Sequence, residues 1–107
     1  MYVVIFRSTR THDHDALYAE WSARMSAEVT KIDGYLSHTS FRDASTREGV
    51  TIAYFTDEEA IRRWREFPDH ASAQELGRQS FYAEYRIDVA EIVRSYTWST
   101  SGARGGS

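Results

Sequence analysis

Cysteine is absent from the 107-residue chain, which excludes disulfides, thiolate metal sites and thiol catalysis. Asparagine is absent as well, so no mechanism that relies on its carboxamide is open to this chain. No stretch of about 18 apolar residues occurs, so no segment reads as a membrane-spanning helix. Basic residues form no stripe and the net charge is −3, which argues against nucleic acid as a partner. The first strand expected from the sequence starts almost at Met1 and leaves no room before it for a signal peptide. A cytoplasmic protein is therefore the expectation. Proline occurs once, at Pro68.

The length suits one domain large enough to bury a core without covalent staples. A hydrophobic share of 41% beside 27% charged residues fits a soluble globular protein. Aromatic residues make up 14%, a high share that points to a large interface or an aromatic pocket.

The segment YVVIFRSTR (2–10) is rich in β-branched and aromatic residues and predicts a strand. Val3 and Ile5 fall on one face, Tyr2, Val4 and Phe6 on the other, so both faces are covered. THDHD follows, with Thr11 or Asp13 as the expected helix N-cap. Leu17, Trp21, Met25, Val29 and Ile32 then recur at spacings of four and three, the pattern of a helix of about five turns, closed by Gly34. YLSHTSFRDA (35–44) alternates as a second strand, STREG is a turn, and VTIAYF (50–55) is a third strand. TDEEAIRRWREF reads as a second helix capped by Thr56 or Asp57. Pro68 breaks it and PDHASAQEL restarts it, with Gly77 as its end. SFYAEY is a short bridge, RIDVAEIVRSYTW (86–98) a long fourth strand, and residues 99–107 a disordered tail.

The order β-α-β-β-α-β predicts one α+β domain over residues 1–98, a ferredoxin-like antiparallel sheet with helices on one face. The other face carries apolar residues too, for which Val4 and Phe6 are the candidates. That predicts a homodimer of sheets packed face to face.

Several side chains are candidates for chemistry. His70 reads either as a general base or lone metal ligand, or as a first-turn helix residue bonded locally. The positive end of a helix would disfavour its charged form. Trp64 lies three residues after Ile61 and three before Phe67, a spacing that suits a core face or a pocket wall. His12 and His14 read as a solvated helix start, because ligands two apart diverge on a helix. His38 lies mid-strand in a row with Leu36, Ser40 and Arg42, lining either a pocket or a barrel. Arg7 falls on the side of Val3 and Ile5, expected to face the helices. There it would meet an anionic substrate or an acid such as Glu20 or Glu28. Thr51, Ala53 and Phe55 share a face.

The chain resembles the antibiotic biosynthesis monooxygenase superfamily of dimeric α+β barrels. The likeness rests on DGYLS, VTIAYFTDEEAIRRW and HASAQELGRQSFYAEYRIDVAEIVRSYTW and covers about residues 2–98. The superfamily includes cofactor-free quinone-forming monooxygenases, haem-degrading oxygenases and proteins without known activity. The haem-degrading members use a His, a Trp and an Asn, whose positions correspond to Gln74, Trp64 and Arg7. The anthrone-type oxygenases use an Asn and a Trp, corresponding to Thr51 and Phe55. Neither set is kept. The resemblance implies an oxygenase that joins O2 to a flat, electron-rich aromatic without flavin or metal. His70 would be the base and Arg7 the anion-stabilising group. Trp21, Phe55, Trp64 and Phe67 would wall a dry pocket, with Thr51 and His38 as further substrate-binding candidates. Haem binding, with or without degradation, and a non-catalytic small-ligand dimer are the alternatives.

Overall fold

The computed structural model describes residues 1–100. Most of the expected tail, residues 101–107, lies outside the described residues. The elements run β1 (Tyr2–Arg10), α1 (Asp15–Val29), β2 (Tyr35–Arg42), β3 (Glu48–Phe55), α2 (Glu58–Glu66), α3 (Pro68–Leu76), a π-helical turn (Gly77–Phe81) and β4 (Tyr82–Glu91). The strands form one antiparallel sheet in the order β2-β3-β1-β4. This is the ferredoxin-like α+β fold expected from the alternation of elements. No helix among the described residues is long and apolar enough to cross a membrane.

Sequence and structure part company over the faces of β1. Val4 and Phe6 lie on the helix side, in the lining of a cavity beneath the helices. Val3, Ile5 and Arg7 therefore occupy the open side, because side chains alternate along a strand. Both faces of β1 are apolar at its start, so hydrophobicity alone did not choose between them. The buried residues Ser8 and Arg10 extend the helix side, and Arg7 is exposed.

Helix α1 is shorter than its apolar period suggested. It stops at Val29, and two tight turns follow, Lys31 N to Glu28 O and Ile32 N to Val29 O. Ile32 thus packs from outside the helix. The N-cap is neither Thr11 nor Asp13 but His14, in the left-handed region at φ 64° and without a capping side chain. Thr11 instead donates through Oγ1 to the Ser80 carbonyl at 2.8 Å, tying the end of β1 to the π-helical turn.

Gly34, at φ 96°, makes the turn into β2 instead of closing α1 as expected, because that helix is already capped at Thr30. Asp43 closes the β2–β3 connection by accepting from Ser45 N at 2.8 Å and Thr46 N at 3.0 Å. Asp57 caps α2, its side chain accepting from Ala60 N at 2.9 Å. Phe67 is extended, and Pro68 starts α3 at the first helical position.

Gly77 ends α3 as its C-cap, as expected, but not in the left-handed conformation usual for a terminal glycine. It is right-handed at φ −58°, and the chain continues into the π-helical turn. Its lack of a side chain serves close approach instead, since a Cβ there would sit 3.0 Å from the Tyr82 ring. The strand β4 then begins at Tyr82 and ends at Glu91, earlier at both ends than the expected 86–98. β1 sets this length: its pairing with β4 runs from Tyr2 opposite Glu91 to Arg10 opposite Tyr82.

A small core joins sheet and helices. Val29, Phe55 and Ala60 are buried together, with Val4, Tyr35, Ala53, Ile61 and Trp64 packed around them.

Candidate active site

The helix side of the sheet does not close completely on the helices. A cavity of about 280 Å3 remains between them, enough for a small molecule. Rows of paired strand residues form its floor: His38, Ala53, Val4 and Val89, then Ser40, Thr51, Phe6 and Ile87. Tyr18, Trp21, Ser22, Met25, Ser26 and Val29 of α1 line one side, so the inward face of that helix starts at Tyr18. Leu17 is exposed. Ile61 and Trp64 of α2 and His70, Ala73 and Gln74 of α3 close the top.

An aromatic cluster forms one wall. Phe6 meets Tyr82 edge-on at 5.3 Å and Tyr85 at 5.5 Å, and Tyr18 meets Phe81 and Tyr82 edge-on at 5.5 and 5.9 Å. Buried Arg10 anchors the cluster: it donates to the Phe81 carbonyl and to Asp15, both at 2.8 Å, and lies 4.0 Å over the Tyr18 ring. Burial, and next the neighbouring Tyr18, push the Tyr82 phenol up from its ordinary range, so it stays a neutral hydroxyl.

The break at Phe67 and Pro68 turns α3 back so that His70 lies on Trp64, ring centroids 4.3 Å apart and planes 26° apart. A surface ion pair between Arg24 of α1 and Asp69, 2.9 Å, fixes the start of α3 above the cavity. His70 Nδ1 is sealed from solvent and makes no hydrogen bond among the described residues. Burial lowers the pKa of the imidazole from 6.5 to about 4, against the opposing pull of the Arg65 and Trp64 carbonyls. The direction matches the expectation. The cause is desolvation, not the helix end.

Of the residues singled out from the sequence, Trp21, His38, Thr51, Phe55, Trp64 and His70 share this cavity. Gln74 lies there too, one helical turn beyond His70. Phe67 is not in the lining but stacks on Trp64, 5.8 Å away. Arg7 is on the opposite side of the sheet, so neither Glu20 nor Glu28 of α1 is its partner. It borders a shallow depression of about 940 Å3 with Phe41, Arg42 and Arg86. That depression is larger, but it is an open groove with a charged rim, whereas the cavity under the helices is walled by apolar and aromatic side chains. His12 and His14 are exposed at the helix start.

Tyr18, Tyr82 and Tyr85 were not among the expected pocket residues. Tyr18 was legible, since Tyr18, Trp21, Met25 and Val29 also recur at three and four. Tyr82 and Tyr85 were not, because their face depends on where β4 begins.

The antibiotic biosynthesis monooxygenase family model matches residues 1–76. The chain is 36% identical over 93 residues to the uncharacterized protein YqjZ of Bacillus subtilis, covering 87% of this chain and 80% of that one. It is 27% identical over 97 residues to the jasmonate monooxygenase ABM of Pyricularia oryzae, covering 89% of this chain but only 45% of that enzyme. Among solved structures it superposes on SnoaB, a cofactor-independent oxygenase of Streptomyces nogalater, with a TM-score of 0.73 at 22% identity, covering 88% of this chain and 94% of SnoaB. That last likeness concerns the fold. The extent of the family match and the 36% identity to the Bacillus relative go further: this chain belongs to the antibiotic biosynthesis monooxygenase family.

Proposed function

We propose that the chain is a monooxygenase that oxidises a small, flat, electron-rich aromatic with O2, without flavin or metal. The observation that carries this reading is His70: an imidazole kept neutral by burial, stacked on Trp64 and lining a cavity walled by aromatic rings. A neutral imidazole can take a proton from a phenol or from a CH2 group flanked by aromatic rings. The resulting anion transfers one electron to O2, and the radical pair joins at carbon as a peroxide anion, which takes the proton back from the His70 imidazolium to become a hydroperoxide. Loss of water converts it to a carbonyl, so CH2 and O2 become C=O and H2O. The cavity contributes a dry site for that anion, with Trp21, Phe55 and Trp64 excluding water and Thr51 and His38 offering polar contacts. The family and the names of its relatives support the reaction class: one relative is called a jasmonate monooxygenase and a structural neighbour a cofactor-independent oxygenase.

The working unit we propose is a homodimer packed through the open side of the sheet. That side carries the cross-strand pairs Ile5–Ile52 and Val3–Tyr54, with Phe41 67% exposed. These residues, not Val4 and Phe6, form the apolar face that the composition implied. Beyond β4, Val93, Tyr96 and Trp98 are 86%, 85% and 78% exposed, further apolar surface that a second copy would cover.

The test is oxygen uptake with a panel of anthrones, hydroquinones and jasmonic acid, alongside a haemin titration. Uptake with an anthrone or a hydroquinone, dependent on His70, supports the reading, whereas uptake with jasmonic acid alone would keep the monooxygenase and overturn the aromatic substrate. Tight haemin binding lost in His70→Ala would replace it with a haem protein. Substrate binding without uptake would leave a non-catalytic ligand-binding dimer.

A further inference from the structure

The oxygenase reading needs a group that stabilises the substrate anion, and Arg7 is on the wrong side of the sheet for it. The floor of the cavity offers another. Tyr35 Oη and His38 Nδ1 lie 2.7 Å apart, their rings edge-on at 5.7 Å. Residues three apart on a regular strand point to opposite faces. Here they share one because of a bulge: Tyr35 pairs with Phe55 and Ser37 with Tyr54, so two steps along β2 match one along β3. Leu36 is the extra residue, 48% exposed. The bulge puts Tyr35 and His38 together on the helix side. Tyr35 is held there by an edge-on contact with buried Phe55, centroids 6.2 Å apart.

We propose that Tyr35 fixes His38 as a hydrogen-bond donor to an anionic oxygen of the ligand, a phenolate or enolate. A neutral imidazole carries one N–H and one lone pair. A phenol O–H is a stronger donor than an imidazole N–H, and an imidazole lone pair is a stronger acceptor than a phenol oxygen. Tyr35 therefore donates to Nδ1, and the imidazole proton resides on Nε2. That nitrogen has no hydrogen bond among the described residues, and His38 lines the cavity. In the next row Ser40 Oγ and Thr51 Oγ1 are 2.7 Å apart. One hydroxyl donates to the other, and the proton of the accepting hydroxyl remains free as a second donor. The floor thus donates while His70 above accepts. Tyr35 is a positioning residue and His38 the group that meets the ligand.

The ligand half of this proposal rests on the cavity being the reaction site; the tautomer of His38 does not. Long-range 1H–15N correlation of the neutral imidazoles reads that tautomer directly. The expected spectrum of the wild type shows His38 protonated at Nε2, and Tyr35→Phe shows a mixture of both tautomers. Protonation at Nδ1 in the wild type, or an unchanged pattern in Tyr35→Phe, overturns the assignment whether or not the protein consumes oxygen. For the ligand half the probe is 4-nitrophenolate, followed by its absorbance. His38→Leu is expected to weaken its binding about tenfold, the loss of a hydrogen bond to a charged group. His38→Gln, which keeps an N–H donor, is expected to recover part of that. Equal affinity in all three proteins, or no binding to the wild type, overturns the anion-donor role.

Discussion

His70 lies against Trp64 with ring centroids 4.3 Å apart, its Nδ1 shut away from solvent without a hydrogen bond among the described residues. The stacking explains both halves of the residue's character. The indole face takes up the apolar surface of the ring, and the same burial removes the water that would solvate its charge.

The His70 resonance is expected to titrate near pH 4. Because burial depresses its pKa from 6.5, the unfolded chain takes up the proton first. Its contribution to stability is therefore full above about pH 6.5 and is lost as pH falls towards 4. At about 1.4 kcal/mol per pH unit the whole effect is on the order of 3 kcal/mol. Urea unfolding at pH 7 and pH 4 checks it. His70→Leu should lose less stability between the two than the wild type does, and an equal loss would count against the burial argument.

Replacing His70 by Ala should lower the rate of oxygen uptake by about 100-fold or more, the range of a lost general base. Arg7→Gln should leave the rate within about threefold, because that side chain points away from the cavity. The two variants separate the structural placement from the sequence expectation, which gave both residues a role. A large loss in Arg7→Gln with His70→Ala unaffected would reverse the assignment.

Sedimentation at micromolar concentration should show two chains for the wild type. Burying several hundred Å2 of apolar surface on the open side would contribute on the order of 10 kcal/mol at ~25 cal/mol per Å2, before the costs of association. Ile5→Asp places a charge in the middle of that face and should yield monomers. A wild type that sediments as a single folded chain would remove the dimer.

Gly34→Ala should destabilise the fold by about 2 kcal/mol or more, from backbone strain and overpacking together. The position is at φ 96°, and a Cβ there would meet Ala60 Cβ at 2.6 Å and Thr56 Oγ1 at 2.7 Å. Ala60 belongs to the buried core, so the neighbour has nowhere to go. Thermal melts followed by circular dichroism measure the drop. An unchanged melting temperature would mean that the turn into β2 can take another path.

The order of strands and helices, the break at Pro68 and the turn at Gly34 were set by local features that sequence carries directly: period, a missing N–H and a positive φ. His70, Trp64 and Trp21 could likewise be placed on elements that meet, because helix periodicity fixes direction once the inward face is known. Three decisions needed the assembled sheet. The side of β1 that faces the helices could not be read from Val3, Val4, Ile5 and Phe6, all apolar, and it decided that Arg7 leaves the site. The start of β4 followed from pairing with β1, and it brought Tyr82 and Tyr85 into the cavity wall. The bulge at Leu36 brought Tyr35 beside His38, although strict alternation puts residues three apart on opposite faces. Each of these depends on which strand lies opposite and in what register. Register comes from contacts between segments far apart in the chain, so only the tertiary structure could decide it.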